Sequence, residues 1–233
     1  PFFTYYSEMN KLLQKSKHLL AFRIAAACIG IFGLVYRLAF QPLYVEGTYN
    51  RLFQLGFFSV QSYFYITLVF VLMVINQLRG KRHAWPTPPF RGAALLYGLI
   101  TSFLFGAFFV QTFKVHGLNL IVLYSNHVLM PLLIMIDNIV SIPPKTYKFD
   151  LLIFWMIYPL YYLIFTIYES FVLGVNRYYF LMLDEANKGI YPYILFLMGT
   201  MFLLCAVLII FINKIYKDPD KHKGLEDDEE SGV

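Results

Sequence analysis

The chain has 233 residues, of which 59% are apolar, 19% aromatic and only 14% charged, whereas a soluble domain carries about 25% charged residues. With a mean hydropathy of +0.60, most of its length must face lipid or its own interior, and disorder, coiled coil, collagen and a disulfide scaffold are excluded. The formal charge of +5 is spread unevenly along the loops, and this asymmetry carries information about orientation.

Crossing a hydrocarbon core of about 30 Å takes roughly 20 mostly apolar residues as a helix, because unsatisfied backbone groups are too costly in lipid. Taken in chain order, six windows qualify: 19–40, 55–77, 92–113, 118–140, 151–172 and 191–213. Alternating segments of about ten residues, the mark of a membrane barrel, are missing from the sequence. Short connectors make successive helices antiparallel neighbours. The expected fold is an all-α membrane protein, a compact bundle of six transmembrane helices over residues 1–213, followed by a charged, disordered tail at 214–233. Cys28 and Cys205 lie inside apolar runs, have no metal-ligand spacing and read as core thiols.

Lys11, Lys15, Lys17, Arg79, Lys81, Arg82, Arg91, Lys145, Lys148, Lys214, Lys217, Lys221 and Lys223 fall on one side of such a bundle, thirteen in all, against four on the other, Arg51, Lys114, Arg177 and Lys188. Both termini are therefore expected in the cytoplasm. The basic loops read as orientation and lipid-surface charge, not as a nucleic-acid site.

Polar groups at membrane depth point to function. The second window opens with Phe58-Ser59-Val60-Gln61-Ser62-Tyr63. The fourth holds Tyr124-Ser125-Asn126-His127, then Pro131 and Asp137-Asn138. The fifth carries Tyr158, Tyr162, Phe165 and Glu169 at steps of four, three and four, which places them on one helical face. A rise of about 1.5 Å per residue puts Ser59 and Ser62 about 6 and 10 Å below the outer end of their helix and His127 about 13 Å down. Glu169 falls near the same outer end, with Tyr36 and Arg37 at its rim, whereas Asp137 and Asn138 belong to a layer near the other end. Pro131 lacks an N–H and clashes with the carbonyl four residues earlier, so a bend is expected at His127, with its carbonyl in need of a new partner. Pro159 should act similarly on the carbonyl of Trp155.

These motifs resemble the androgen-induced multi-pass membrane proteins and their bacterial relatives. The resemblance rests on Phe58-Ser59-Val60-Gln61-Ser62, on His127-Val-Leu-Met-Pro131 followed by Asp137, and on Tyr158-Pro159-Leu160-Tyr161, and it covers the second to fifth helices. Characterised animal members hydrolyse fatty acid esters of hydroxy fatty acids, with an intramembrane Thr nucleophile and a His. The resemblance places that nucleophile at Ser59 and the base at His127, with a bacterial cell membrane as the location. Ser stands here for Thr and keeps the hydroxyl, while Tyr63 stands where bacterial relatives usually have Asn. It implies catalysis without a cofactor, on membrane lipids or fatty acid esters. Glu169, Asn126 or a tyrosine would orient the imidazole, and Gln61, Asn126 or a tyrosine hydroxyl would stabilise an oxyanion. Ser62, Tyr158 and Tyr162 complete the supporting set.

Simpler readings stand beside these. Ser59 and Ser62 also suit helix packing, and Glu169 suits an ion pair with Arg177. A membrane acyltransferase shares the acyl-enzyme step, and a lipid-binding or transport protein would use the same polar groups without turnover. No His-Glu-x-x-His helix, phosphate loop, Cys-x-x-Cys pair or Gly-x-Ser-x-Gly elbow is present, and the remaining histidines have no ligand-like spacing.

Overall fold

The computed structural model describes residues 2–40, 43–45, 48–50, 52–80, 85–109, 115–143, 145–178 and 189–215, with side chains described from Ser16 onward except at 43–45, 48–50, 52 and 109. The acidic tail beyond Ile215 and the basic residues Arg51, Lys81, Arg82, Lys114 and Lys188 lie outside the described residues.

Seven helices are described: α1 (Phe2–Phe40), α2 (Phe58–Leu78), α3 (Pro88–Leu104), α4 (Leu118–Tyr124), α5 (Met130–Ser141), α6 (Leu151–Leu173) and α7 (Tyr191–Ile215). A π-helical turn, Phe105–Phe109, extends α3, and another, Ser125–Leu129, joins α4 to α5 into one long element. Six helical stretches are long and apolar enough to cross a membrane: Ser16–Phe40, Phe58–Leu78, Pro88–Phe108, Leu118–Ser141, Leu151–Leu173 and Tyr191–Ile215. The chain is thus an integral membrane protein, and its regular structure among the described residues is helical apart from one short hairpin. That hairpin pairs β1 (Leu43–Val45) with β2 (Thr48–Asn50), Tyr44 opposite Tyr49, and three-residue strands are too short to register as an alternating pattern.

The chain gathers into two compact units, Pro1–Asp137 and Asn138–Val233. In the first, α3 is the most buried of the membrane-length helices. Pro88 and Pro89 open it, where a missing N–H costs nothing. Every residue from Arg91 to Gly98 is buried, and the small side chains of Gly92, Ala93, Ala94 and Gly98 allow neighbouring backbones to approach. A Cβ built on Gly98 would stand 3.1 Å from Ile66 Cδ1 on α2 and 3.2 Å from Pro131 Cβ on α5, so three helices meet there. On α1, Gly30 and Gly33 play the same part toward α2, since a Cβ on either would collide with Thr67 or Tyr63. The space freed at Gly33 lets the Tyr63 hydroxyl donate to the Ile29 carbonyl at 3.1 Å and meet Ser125 Oγ at 3.2 Å.

In the second unit, α6 packs on α7, and Asn213 of α7 ties down the loop that precedes α6. Its carbonyl accepts from Lys145 N at 3.0 Å, its Oδ1 accepts from Tyr147 N at 2.9 Å, and its Nδ2 donates to Pro143 O at 3.1 Å. Tyr147, itself buried, donates its hydroxyl to Asn138 Oδ1 and stands edge-on to Trp155, ring centres 5.1 Å apart. Gly174, at φ +68°, ends α6 in the left-handed conformation, and Val175 N closes the cap on the Glu169 carbonyl at 3.0 Å.

Three expectations change. Cys28 is exposed on α1 and is no core thiol. Arg91 is not a loop charge but a buried residue of α3. On α6 the buried face runs through Trp155, Pro159, Tyr162, Thr166 and Glu169, whereas Phe165 lies on the exposed side. The reason is shared: hydropathy locates a helix but not which part of its circumference finds a neighbour.

Candidate active site

The first unit carries two polar clusters, one at each end of its helices. At the end where α1 finishes and α2 begins, Arg37, Gln54, Ser59, Asn126 and His127 gather. The Asn126 amide, assigned from its surroundings, donates to the Ser59 carbonyl at 3.0 Å and accepts from Arg37 Nη1 at 2.7 Å. Arg37 Nε also donates to Gln54 Oε1 at 2.8 Å, and Gln54 Nε2 returns a bond to the Arg37 carbonyl at 3.3 Å. One asparagine therefore links the start of α2, the end of α1 and the π-helical turn.

His127 is buried, and its ring stacks on Phe105 with centres 4.4 Å apart. Nδ1 lies 2.8 Å from the Leu123 carbonyl. A carbonyl only accepts, so in the neutral ring Nδ1 carries the proton and Nε2 carries the lone pair. The backbone around this residue behaves as a proline at position 131 requires. Met130 N reaches back five residues to the Ser125 carbonyl, and the His127 carbonyl accepts from Ser102 Oγ of α3 at 2.6 Å. A π turn together with a hydroxyl from the next helix restores what the proline removed.

The sequence-derived site residues divide between the two units. Ser59, Gln61, Ser62, Asn126 and His127 belong to the first; Tyr158, Tyr162 and Glu169 belong to the second. Ser59 is half-buried in the first turn of α2, linked to the His127 turn through its backbone and Asn126. No described hydrogen bond joins its hydroxyl to the imidazole. Gln61 turns back to donate to the Leu55 carbonyl at 2.7 Å. Ser62 is fully buried. In the second unit, Glu169 holds Arg177 through two bonds of 2.6 Å, and this hydrogen bonding raises the guanidinium pKa above its ordinary value. Tyr162 is buried, its ring centre 6.5 Å from that of half-buried Tyr158.

An apolar groove of about 770 Å³ runs between α1 and the α4–α5 element, past Cys28, Phe32, Ile121, Val128 and Leu132, and reaches Ser125. Neither Ser59 nor His127 lines it. At the opposite end of the same helices, Asp137 is completely buried between two arginines, accepting from Arg23 Nε at 2.7 Å and Arg91 Nη2 at 2.5 Å. Arg23 also donates to Gln77 Oε1 at 3.0 Å, and Gln77 Nε2 donates to the Ser16 carbonyl at 2.8 Å.

Sequence reasoning missed this charged cluster, along with Gln54, Phe105, Thr101 and Ser102. Thr101-Ser102 was the available signal, a polar pair midway along a mostly apolar window. Among the described residues, no group of three or more His, Cys, Asp or Glu is placed to hold a metal ion. Family models, curated proteins and solved structures yield no match to this chain.

Proposed function

We propose that the protein is an intramembrane hydrolase of lipid or fatty acid esters, with Ser59 as nucleophile and His127 as base. The observation that carries this reading is the fixed imidazole: a buried ring whose Nδ1 is tied to its own helix, leaving Nε2 with the lone pair, on a turn bonded through Asn126 to the residue that bears the hydroxyl. Its choice of reaction comes from the resemblance described above.

In this mechanism Ser59 Oγ attacks the ester carbonyl carbon while its proton passes to His127 Nε2. The protonated ring then gives that proton to the departing alkoxide, which leaves as the hydroxy lipid. Water next attacks the acyl-serine, His127 takes its proton, and the acid departs as the serine recovers its hydrogen. Catalytic hydrogen bonds of this kind often tighten only once substrate is bound. The acyl chain lies in the apolar groove, which is open to the side and passes Ser125, two residues before the base. Both termini face the cytoplasm, as the Lys and Arg asymmetry favours, and the host is a bacterial cell membrane, as the resemblance implies.

The test is labelling of the detergent-purified protein with a fluorophosphonate, located by peptide mapping, beside hydrolysis of a fatty acid ester of a hydroxy fatty acid. The expected result is an adduct on Ser59 that needs His127, with turnover falling by about 10²- to 10⁴-fold in His127→Ala. Ester turnover that survives both Ser59→Ala and His127→Ala would overturn the proposal. Supplying an alcohol acceptor separates hydrolysis from acyl transfer by product.

A further inference from the structure

Hydroxyl groups inside these helices have a common fate. Thr67 Oγ1 donates to the Tyr63 carbonyl at 2.7 Å, Thr166 Oγ1 to the Tyr162 carbonyl at 2.9 Å, and Ser102 Oγ to the His127 carbonyl at 2.6 Å. Back-bonding like that of Thr67 and Thr166 is within reach of a helical Ser or Thr, so a buried hydroxyl that makes no bond stands out. Ser62 Oγ on α2 and Thr101 Oγ1 on α3 are two such groups. Both residues are almost wholly enclosed, 1% and 3% exposed, where an unmade hydrogen bond is costly.

Their register brings them to one place. Ile66, Gly98 and Pro131 meet in a single layer. One turn toward the Arg37 end of each helix, those three positions become Ser62, Thr101-Ser102 and His127. The Ser102 bond to the His127 carbonyl fixes two members of that layer. Thr101 is offset from Ser102 by one residue, about 100° of helix rotation, and shares the side of Tyr97, whose ring meets Phe58 and Tyr65 of α2. Thr101 therefore faces α2, where Ser62 lies between Phe58 and Ile66. Of the donors considered from sequence, the two amides are engaged elsewhere, Gln61 with the Leu55 carbonyl and Asn126 between Arg37 and Ser59.

Building on the hydrolase reading, we infer that the hydroxyls of Ser62 and Thr101 form the oxyanion site, donating to the ester carbonyl oxygen as Ser59 adds to its carbon. The addition turns that oxygen into an alkoxide, and the two O–H groups bond to it without transferring their protons. Collapse of the intermediate restores the carbonyl. Donors held unpaired in a dry site need no reorganisation when the charge appears, which is the condition under which such groups stabilise a transition state most.

The test uses the full-length protein in detergent or liposomes, with a fatty acid ester of a hydroxy fatty acid as probe, and reads kcat, KM and thermal unfolding together. Thr101→Val keeps the shape and removes the hydroxyl. Its kcat is expected to fall by about 10²- to 10³-fold, with KM changed less than about threefold and thermal stability equal to or above wild type, since a methyl group is at home where an unpaired hydroxyl is not. Thr101→Ser should restore most of the rate, and Ser62→Ala should repeat the loss. If Thr101→Val and Ser62→Ala both keep kcat within about threefold while Ser59→Ala abolishes turnover, the oxyanion assignment falls and the hydrolase reading stands. If Thr101→Val unfolds early and Thr101→Ser recovers stability but not rate, the hydroxyl is structural and the assignment also falls. A wild-type protein that neither hydrolyses the probe nor takes the fluorophosphonate label overturns the hydrolase reading itself.

Discussion

The two polar clusters of the first unit solve the problem of burial in opposite ways. At one end, opposite charges meet: Asp137 is enclosed between two guanidiniums, and each of its oxygens accepts from a different helix, Arg23 on α1 and Arg91 on α3. At the other, eighteen residues along α2 from Gln77 to Ser59 and so about 27 Å away, the groups are mostly neutral, and two hydroxyls remain without partners. Paired opposite charges fasten helices, because removing either sign strands the other. A layer with donors to spare carries an energetic cost that a ligand oxygen can offset. Their difference separates a structural fastening from a candidate site, although the fastening bears the more conspicuous residues.

That contrast can be broken most directly at Asp137. Asp137→Asn leaves two guanidiniums facing a neutral amide, and the loss of a buried pair is expected to cost about 3–5 kcal/mol, read as a fall in unfolding temperature in detergent. The fraction that remains folded should hydrolyse ester at the wild-type rate. A large drop in kcat with little change in stability would instead make the charged cluster part of the chemistry. Next in size is Gly33→Val, which forces side-chain atoms into the space held by the Tyr63 ring. Overpacking of this kind costs about 1–3 kcal/mol, and by moving Tyr63 it should also disturb the contact with Ser125 in the wall of the groove. Unfolding measurements beside turnover of long- and short-chain esters would show whether the chain loses stability and whether long substrates suffer more.

Smallest is Ser102→Ala. It removes the bond to the His127 carbonyl, with an expected loss of about 1 kcal/mol and a modest fall in turnover as the π turn relaxes. Wild-type stability and rate in this variant would mean that the π turn alone compensates for Pro131.

Much of the frame was legible in the sequence. Length and hydropathy located six spans to within a few residues at most ends, since the thickness of a bilayer sets the length of a helix whatever packs against it. Pro131 announced that the His127 carbonyl would need another donor, because proline chemistry is local. Other features were hidden. Arg91 looked like a loop charge at the edge of its window; Asp137 was assigned correctly to the far end, but its two partners lie 46 and 114 residues away.

What the sequence by itself determined, then, is a chain of membrane-crossing helices with polar residues at known depths, because hydrophobic length and helical rise are properties of a single segment. Which of those polar residues meet was decided only by tertiary structure. Close approach at Gly30, Gly33 and Gly98 fixes how each helix is rotated against its neighbours, and that rotation pairs Asp137 with Arg23 and Arg91 while leaving Ser62 and Thr101 enclosed without a bond.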